Sequence, residues 1–393
     1  MRSEWKVVKL SDIAEFNPRE SLPKGTIAKK VAMDKLQPFY RDIPSYEIEA
    51  FNGGTKFRNG DTIMARITPC LENGKTAKVN ILEENEVGFG STEYIVFRAK
   101  QGVDADYLYY LISSPWVREP AIKSMVGSSG RQRVQTDVLQ NLKILNPAYN
   151  EQKKIGGILS DLDDKIAMNA RINKNLEQQA EALFHSLFIE NANPTWKDGV
   201  LSDLGTVVAG GTPSKTKPEY YSEQGIAWIT PKDLSLNKSK FISRGEIDIS
   251  ELGFSKSSAT KMPTGTVLFS SRAPIGYIAI AANEVTTNQG FKSVVPNENV
   301  GTAFMYYLLK FLLPTIEGMA SGSTFKEISG AGMKSVPVVI PDNETIEKFN
   351  AFCTPIFQQQ EVLEAENSRL ADIRDALLPK LMSGELDVSD IDL

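Results

Sequence analysis

The sequence predicts an α+β protein with a pseudo-twofold internal repeat, in which two similar globular domains are separated by two long helices that form an antiparallel coiled coil. Two observations lead to this prediction. Short motifs recur about 194 residues apart, and each globular segment is followed by about 45 residues with a heptad pattern of apolar side chains. The predicted boundaries are 1–150 for the first domain, 151–192 for the central spacer helix, 193–342 for the second domain, and 343–393 for the C-terminal spacer helix and tail.

The internal repeat is visible at the start and in the middle of each half. Segment 5–13, with Trp-Lys followed by Leu-Ser-Asp-Ile, returns as segment 196–204, with Trp-Lys followed by Leu-Ser-Asp-Leu. Tyr-Leu-Tyr-Tyr-Leu at 107–111 returns as Phe-Met-Tyr-Tyr-Leu at 304–308. Because the period is far longer than the roughly 20–50 residues of solenoid repeats, it indicates one duplicated domain.

Each helical segment carries a seam of side chains at alternating steps of four and three residues, which is typical of a coiled coil. Polar residues interrupt the middle of both seams, namely Asn169, Asn173, Gln360 and Asn367. These residues either fix the pairing of the helices or face water or a partner. The apolar seam residues are Ile155, Leu159, Leu162, Ile166, Leu176, Leu183 and Leu187 in the first segment, and Phe349, Ile356, Leu363, Leu370, Leu377 and Leu381 in the second.

The globular segments have the sequence signals of short strands and short helices. The Leu-Ser-Asp motif near each start predicts a helix N-terminus. Segments 60–67 and 265–271 predict strands opened by glycine turns, and segment 336–340 predicts a strand before the second long helix. Segments 107–112 and 304–312 predict helices.

Composition excludes several classes of protein. Neither a signal peptide nor an apolar run of about 20 residues is visible, so we expect a cytoplasmic protein. Cys70 and Cys353 are too few for a disulfide framework or a cysteine-based metal site. His185 is the single histidine of the chain, which argues against triad hydrolysis and histidine-ligated metals. We expect it to pack in the helix or lie at the surface.

The net charge of −5 hides an uneven distribution. Residues 1–150 and 196–341 carry net charges of +3 and +2, whereas 151–195 and 342–393 carry −2 and −8. A modest positive balance in the two globular segments is compatible with DNA contact through a limited surface.

The predicted arrangement suggests a protein that measures distance along DNA. Antiparallel helices would carry one domain at each end, and 33 residues of helix span about 50 Å at about 1.5 Å per residue. One turn of DNA is about 34–36 Å long, so two domains placed in this way could contact two half-sites at a fixed spacing. Because the two domains differ in sequence, a bipartite and asymmetric target follows as a hypothesis.

The chain resembles, over its whole length, the specificity (S) subunit of type I restriction–modification systems. The resemblance depends on the order of four motifs and on the duplication of the first of them. They are the Trp-Lys…Leu-Ser-Asp motif at 5–13, its copy at 196–204, Glu-Gln-Lys-Lys-Ile at 151–155, and Leu-Leu-Pro-Lys-Leu-Met-Ser-Gly-Glu-Leu at 377–386. The resemblance implies two target recognition domains, each reading one half of a split site in double-stranded DNA. It also implies assembly with two adenine methyltransferase (M) subunits and with ATP-dependent motor-nuclease (R) subunits. S-adenosylmethionine, ATP and Mg would then be bound by those partners, and this chain would bind no cofactor and no metal.

The candidate DNA-contacting residues lie in predicted loops that are rich in arginine, lysine, glutamine, serine and glycine. Arginine can pair with guanine and glutamine with adenine in the major groove, so such loops are suited to reading bases. The richest stretch is 127–135, with two arginines and two glutamines, and its counterpart is 321–326. Arg66 and Arg272 end strands that we expect to match in the two halves. The full set of candidates is Arg58, Arg66, Lys75, Ser128, Ser129, Arg131, Gln132, Arg133, Gln135, Thr230, Lys232, Arg272, Ser321, Ser323, Thr324 and Lys326.

Two other functions remain open on the sequence alone. The chain could be a self-contained DNA methyltransferase or nuclease, since Asn-Pro-Ala-Tyr at 146–149 resembles the Asn-Pro-Pro-Tyr motif of amino-methyltransferases. It lacks the second proline, no glycine-rich cofactor loop precedes it, and no phosphate-binding loop motif occurs. We therefore predict a chain that is not an enzyme by itself. The second alternative is a scaffold whose duplicated domains bind proteins.

Overall fold

A computed structural model describes residues 5–128, 130–322, 326–388 and 391. Contacts divide the chain into unit 1, Met1–Met168 with Asn367–Leu393, and unit 2, Asn169–Glu366. Each unit therefore holds one globular domain together with one half of each long helix. The sequence had assigned each long helix to a segment of its own, because periodicity reveals a helix but not the domain against which it packs.

Unit 1 is a mixture of short strands and short helices. Its strands are β1 (Lys6–Lys9), β2 (Ala14–Phe16), β3 (Ile27–Val31), β4 (Glu47–Ala50), β5 (Thr55–Phe57), β6 (Thr62–Ala65), β7 (Thr76–Lys78), β8 (Gly88–Gly90), β9 (Tyr94–Ala99) and β10 (Lys143–Asn146). Its short helices are α1 (Leu10–Ile13), α2 (Ala105–Ser113), α3 (Pro115–Lys123) and α4 (Thr136–Gln140), with a 3₁₀ turn at Met33–Lys35. The first long helix, α5 (Tyr149–His185), begins in this unit.

The strands of unit 1 form two four-stranded sheets, in the orders β2-β9-β6-β7 and β4-β3-β8-β5, and a β1-β10 ribbon. Strands β3 and β8 are parallel, whereas the other pairs are antiparallel. The fully buried Tyr107 and Tyr110 of α2 belong to the core together with Leu10 and Ile155. The Tyr-rich motif therefore packs between the sheet and the long helix, which accounts for its recurrence in the second half of the chain.

Unit 2 repeats this plan after a π-helical turn at Ser186–Glu190. Its strands are β11 (Lys197–Val200), β12 (Gly205–Ala209), β13 (Tyr221–Ser222), β14 (Trp228–Ile229), β15 (Phe241–Ile242), β16 (Asp248–Ile249), β17 (Val267–Ser271), β18 (Ile275–Ala281), β19 (Thr286–Thr287), β20 (Lys292–Pro296) and β21 (Pro337–Ile340). Its helices are α6 (Leu201–Leu204), α7 (Pro231–Leu236), α8 (Glu251–Ser255), α9 (Thr302–Phe311), α10 (Leu313–Met319), α11 (Gly330–Lys334) and the first half of α12 (Asn343–Met382), with a 3₁₀ turn at Pro218–Tyr220.

The sheets of unit 2 match those of unit 1 in their main pairings. A five-stranded sheet has the order β12-β20-β17-β18-β15, and β11-β21 is the counterpart of the β1-β10 ribbon. The parallel pair β14-β19 corresponds to β3-β8. Both units also contain a cis proline after the equivalent strand, at Thr68-Pro69 and Ala273-Pro274. The duplication is therefore a property of the fold as well as of the sequence.

The repeated motifs hold equivalent hydrogen bonds. The indole nitrogen of Trp5 donates to Glu151 at 2.9 Å, and that of Trp196 donates to Asp342 at 2.8 Å, each tying a ribbon to the start of a long helix. In the Leu-Ser-Asp motifs, Asp12 and Asp203 each accept the backbone N–H three residues earlier, at 2.8 Å. A short helix begins at each motif, as predicted, and the capping group is the aspartate inside its first turn.

The two long helices contact each other in both units. In unit 1, Arg374 of α12 donates to Asp163 of α5 at 2.6 Å, and Asn367 donates to the carbonyl of Ile166 at 3.3 Å. From the first contact to the second, the residue number rises from 163 to 166 in α5 and falls from 374 to 367 in α12, so the two helices run in opposite directions in unit 1. All apolar seam residues are buried or half-buried.

In unit 2, Asn169 donates to Glu366 at 2.7 Å, and Gln360 donates to the carbonyl of Asn173 at 3.1 Å. The side chains of Asn169, Gln360 and Asn367 therefore bond between the helices, whereas Asn173 takes part through its backbone carbonyl. These bonds favour the first of the two interpretations, namely that the polar residues fix the pairing. No helix of the described part of the chain is long and apolar enough to cross a membrane.

A buried cation joins each globular domain to the long helices. Arg41 is 6% exposed, and its guanidinium contacts Asp164 at 2.5 Å and Ser160 Oγ at 2.8 Å, both on α5. Lys240 is 7% exposed and pairs with Glu177 of α5 while donating to Gln360 of α12 at 2.7 Å. Neither residue was singled out from the sequence, because a buried charge cannot be told from a surface charge by spacing.

Candidate nucleic-acid interface

Three segments of unit 1 converge at the end of β6, in a region that we call the first junction (residues 66–69, 91–93 and 126–134, of which 129 lies outside the described residues). The N–H of Arg66 donates to the carbonyl of Glu93, and the N–H of Val134 donates to the carbonyl of Arg66, both at 2.9 Å. The N–H of Thr68 donates to the carbonyl of Gln132 at 3.0 Å. The predicted stretch 127–135, most of which belongs to this junction, is thus attached to the strand end that carries Arg66.

The same three segments meet in unit 2 at the second junction (residues 271–274, 288–290 and 321–328, of which 323–325 lie outside the described residues). Ser271 donates its N–H to the carbonyl of Gly290 at 2.7 Å, and Ile328 donates to the carbonyl of Ser271 at 3.1 Å. Arg272 forms a β-bridge with Glu327. The two junctions therefore share one backbone plan.

The backbone hydrogen bonds of the two junctions show which residues correspond at the two equivalent strand ends. Arg66 and Ser271 occupy the same place, because each accepts from the returning loop and donates to the turn before the next strand. Arg272 is instead equivalent to Ile67, since both form a β-bridge with that loop. The two arginines lie at the ends of equivalent strands, as expected, but their positions differ by one residue, and in a strand one residue moves a side chain to the opposite face.

The ion pairs of the two junctions have opposite polarity. In the first, the loop residue Arg133 donates to Glu93 at 2.6–3.1 Å, and this guanidinium holds the pKa of Glu93 below its ordinary value. In the second, the loop residue is Glu327, which pairs with Arg272 at 3.3 Å and Lys292 at 3.6 Å. The cation lies on the loop in unit 1 and on the strand side in unit 2, so the two surfaces present charge differently.

Other candidates of the first loop differ in how free their side chains are. Arg131 is exposed, and its guanidinium has no partner among the described residues. Ser128 is exposed, whereas Gln132 and Gln135 are half-buried. Gly127 and Gly130 have φ values of 137° and 78°, which allow the tight turn that projects Arg131. The candidate Ser129 lies outside the described residues.

Arg58 and Lys75 hold structural contacts in unit 1. The Arg58 guanidinium pairs with the buried carboxylate of Glu20 at 2.7 Å. The Lys75 ammonium donates to the backbone carbonyl of Met33 at 2.9 Å. The backbone N–H of Lys75 donates to the carbonyl of Cys70 at 3.1 Å, and Cys70 directly follows the junction segment 66–69. Arg58 has no hydrogen bond to the junction segments that the structure describes.

Unit 2 contains a surface groove of about 540 Å³ beside the second junction. It brings together two predicted residues, Thr230 and Lys232, with two that the sequence analysis missed, Asn288 and Gln289. Thr230 donates its hydroxyl to Asp233 at 2.6 Å, which fixes the start of α7. The missed pair lies in an Asn-Gln-Gly turn, and that turn signal could have marked it as a loop.

The remaining predicted residues of unit 2 belong to the returning loop or the groove rim. Ser321 exchanges two backbone hydrogen bonds with Glu327, at 2.9 and 3.1 Å, and its side chain is exposed. Lys326 is also exposed, and the predicted Ser323 and Thr324 lie outside the described residues. Lys232 pairs with Glu246 at 2.6 Å, but both side chains are more than 60% exposed, so the pair holds Lys232 only weakly.

Neither metal-binding nor histidine chemistry has a candidate centre in the part of the chain that the structure describes. No group of three or more His, Cys, Asp or Glu side chains there could hold a metal ion. The His185 side chain is 55% exposed and lies 3.6 Å from Glu190, so it is a surface residue at the end of α5.

Comparison with known proteins identifies the family. The sequence model described as "Type I restriction modification DNA specificity domain" matches residues 2–178 and 193–368, one copy for each half. The HindI specificity subunit of Haemophilus influenzae is 24% identical over 98% of this chain and 100% of its own length. The MjaIX specificity subunit of Methanocaldococcus jannaschii is 41% identical over 39% of this chain, a match that spans 36% of that relative.

A solved structure supports the same assignment at the level of fold. The type I restriction–modification S subunit from M. genitalium is 17% identical and superposes with a TM-score of 0.61 over 96% of both chains. Two repeated domains with mixed helices and strands are thus shared with this family. Specificity subunits are the non-catalytic DNA-recognition subunits of their complexes, which confirms the prediction that this chain is not an enzyme by itself. The chain belongs to the type I restriction–modification DNA specificity family.

Proposed function

We propose that this chain binds a bipartite, asymmetric target in double-stranded DNA, with one half-site at each junction. The observation that supports this most strongly is the repetition of the three-segment junction with different side chains. An identical backbone plan gives two surfaces of the same kind. The opposite polarity of the ion pairs Arg133–Glu93 and Arg272–Glu327 makes them suited to different sequences.

The long helices would set the distance between the half-sites. We infer that α5 and α12 form one antiparallel coiled coil with a pseudo-twofold axis, extending the antiparallel contacts seen within each unit. The buried pairs that involve Arg41 and Lys240 would then hold each domain rigidly on that coiled coil. A fixed gap between two short recognized sequences is the expected consequence.

The partners would be two adenine methyltransferase subunits and ATP-dependent motor-nuclease subunits in the cytoplasm. S-adenosylmethionine, ATP and Mg would be bound by those subunits. Exposed apolar side chains on the long helices support an assembly role for them, since Met168 is 53%, Phe352 42% and Val362 62% exposed. Burial of these side chains against a partner would contribute to binding roughly in proportion to the apolar area removed from water.

The decisive experiment maps methylated adenines in DNA from cells that express the partner methyltransferase with and without this chain. We expect a split motif with a fixed gap that is present only when the chain is expressed. Methylation that does not depend on the chain would contradict the proposal and favour the scaffold. If no adenine is methylated in either case, co-purification of the chain with the methyltransferase decides, and failure to co-purify counts against the proposal.

A further inference from the structure

We propose that Gln289, supported by Asn288, reads an adenine in the half-site bound by unit 2. This inference rests on the proposed function, because it needs DNA to lie at the second junction. Gln289 would then determine the base preference of unit 2 at one position of its half-site. A glutamine amide matches adenine because it accepts from N6 and donates to N7 on the major-groove edge.

The position of the turn makes contact with a base edge possible. Asn288 and Gln289 lie on the groove of about 540 Å³ and are followed directly by Gly290, whose carbonyl accepts from Ser271 at the second junction. Gln289 is exposed, and its side-chain amide has no partner in the described residues. Among the same residues, Lys215 on the groove has no ion pair, so it is available for a phosphate.

The groove holds this turn in a defined conformation. The Asn288 side-chain oxygen accepts from the N–H of Gly290 at 2.8 Å, which leaves the amide nitrogen of Asn288 as a donor. The buried Trp228, which also lines the groove, donates its indole N–H to the carbonyl of Gly211 at 2.9 Å. Because the surroundings are fixed before DNA arrives, Gln289 would lose little freedom beyond its own rotamers on binding.

Unit 1 provides an internal comparison at the same turn. There Ser91 replaces Asn288, and its hydroxyl accepts from the N–H of Glu93 at 3.1 Å, as Asn288 does for Gly290. Thr92 stands where unit 2 has Gln289. A threonine cannot present the donor and acceptor pair of an amide, so the two half-sites should differ at the corresponding base pair.

The test uses the complex of this chain with its methyltransferase and two variants of the turn. The double variant Asn288→Ser with Gln289→Thr copies the turn of unit 1, in which a serine hydroxyl takes the place of the Asn288 oxygen as acceptor of the backbone N–H two residues later. The single variant Gln289→Ala removes only an exposed side chain and should fold in any case. Asn283→Ala is the matched control, because Asn283 is an exposed amide of unit 2 that does not line the groove.

Methylation rates are measured on DNA in which each base pair of both half-sites is substituted in turn. We expect both turn variants to lose about tenfold to hundredfold of their preference for an adenine at one position of one half-site, with the other half-site and the control unchanged. An unchanged preference overturns this inference, as does a uniform loss of rate with the motif intact. If the unaltered chain yields no split motif, the proposed function itself has failed, and the two failures are therefore distinguishable.

Discussion

Arg131 is the residue of the first loop whose charge is least engaged by the protein. Its guanidinium is exposed and has no partner in the described parts of the chain, whereas the nearby Arg133 is held by Glu93. A free cation at a loop tip gains most from a phosphate or a guanine, because it gives up no internal contact on binding.

The first prediction follows from that difference. Arg131→Ala should weaken DNA binding by the methyltransferase complex and reduce the slope of log K against log salt by about 1, since one counterion fewer is released. Lys143→Ala is the control, because Lys143 is exposed on β10 outside the junction. DNA-binding titrations at several salt concentrations measure the slope. Equal slopes for Arg131→Ala and the unaltered chain would contradict a DNA contact by this loop.

A second prediction concerns the buried pair of unit 2. Burial by itself would raise the pKa of Glu177, but Lys240 and Lys310 outweigh it and lower that pKa to about 2. A depressed pKa means that the stabilisation is complete above the ordinary value of 4.5 and is lost as the pH falls towards 2. The stabilisation by ionised Glu177 should therefore begin to decrease in mildly acidic solution.

Glu177→Gln should therefore destabilise the protein by about 3 kcal/mol at pH 7, because Lys240 is left buried without its counter-charge. The difference from the unaltered chain should shrink by about 2 kcal/mol between pH 4.5 and pH 3. Urea unfolding at each pH measures both quantities. Glu181→Gln is the control, since Glu181 contacts the same Lys310 but is 54% exposed. Parallel pH profiles for Glu177→Gln and the unaltered chain would contradict the assigned role.

At the scale of elements, α5 depends on a glycine in its first turns. A Cβ at Gly156 would lie 2.8 Å from both the backbone nitrogen of Tyr107 and a carboxylate oxygen of Asp104. These atoms belong to the start of α2, where Asp104 accepts from the N–H of Tyr107 at 2.9 Å. The glycine therefore allows a close approach of two helices, although glycine is a poor helix former.

The third prediction compares two glycine-to-alanine changes within helices. Gly156→Ala should lower the free energy of unfolding by about 1–3 kcal/mol, because α2 must move away from α5. Gly318→Ala in α10 should raise it by up to about 1 kcal/mol, since no atom lies within 4 Å of the added Cβ and alanine favours the helix. Urea unfolding of both variants measures the two effects. A stabilised Gly156→Ala variant would show that the contact with α2 is easily relaxed.

At the scale of the whole molecule, the fourth prediction separates recognition from catalysis. The isolated chain should bind no S-adenosylmethionine in calorimetry, whereas the complex with its methyltransferase should bind it. The isolated chain should still bind DNA in a strongly salt-dependent manner, because phosphate contacts release counterions. Cofactor binding by the isolated chain would favour the self-contained enzyme, and DNA binding that is absent at low salt would favour the scaffold.

The sequence by itself determined the duplication, the two long helices and the class of the protein. These features depend on local patterns: motifs such as Trp-Lys…Leu-Ser-Asp recur at a fixed offset, and heptads place apolar residues on one helix face whatever lies opposite. It also pointed to the stretch 127–135, because arginine, glutamine and glycine are concentrated there. Such signals need no knowledge of contacts between distant segments.

Only the tertiary structure decided how the candidate site is assembled. Arg66, Glu93 and Arg133 are far apart in the chain, and the backbone bonds of three segments bring them together. The same bonds showed that Arg66 matches Ser271 and not Arg272. The physical reason is that strand register and ion-pair partners depend on which segments meet in space. A linear pattern carries the period of a strand but not the partner against which it is aligned.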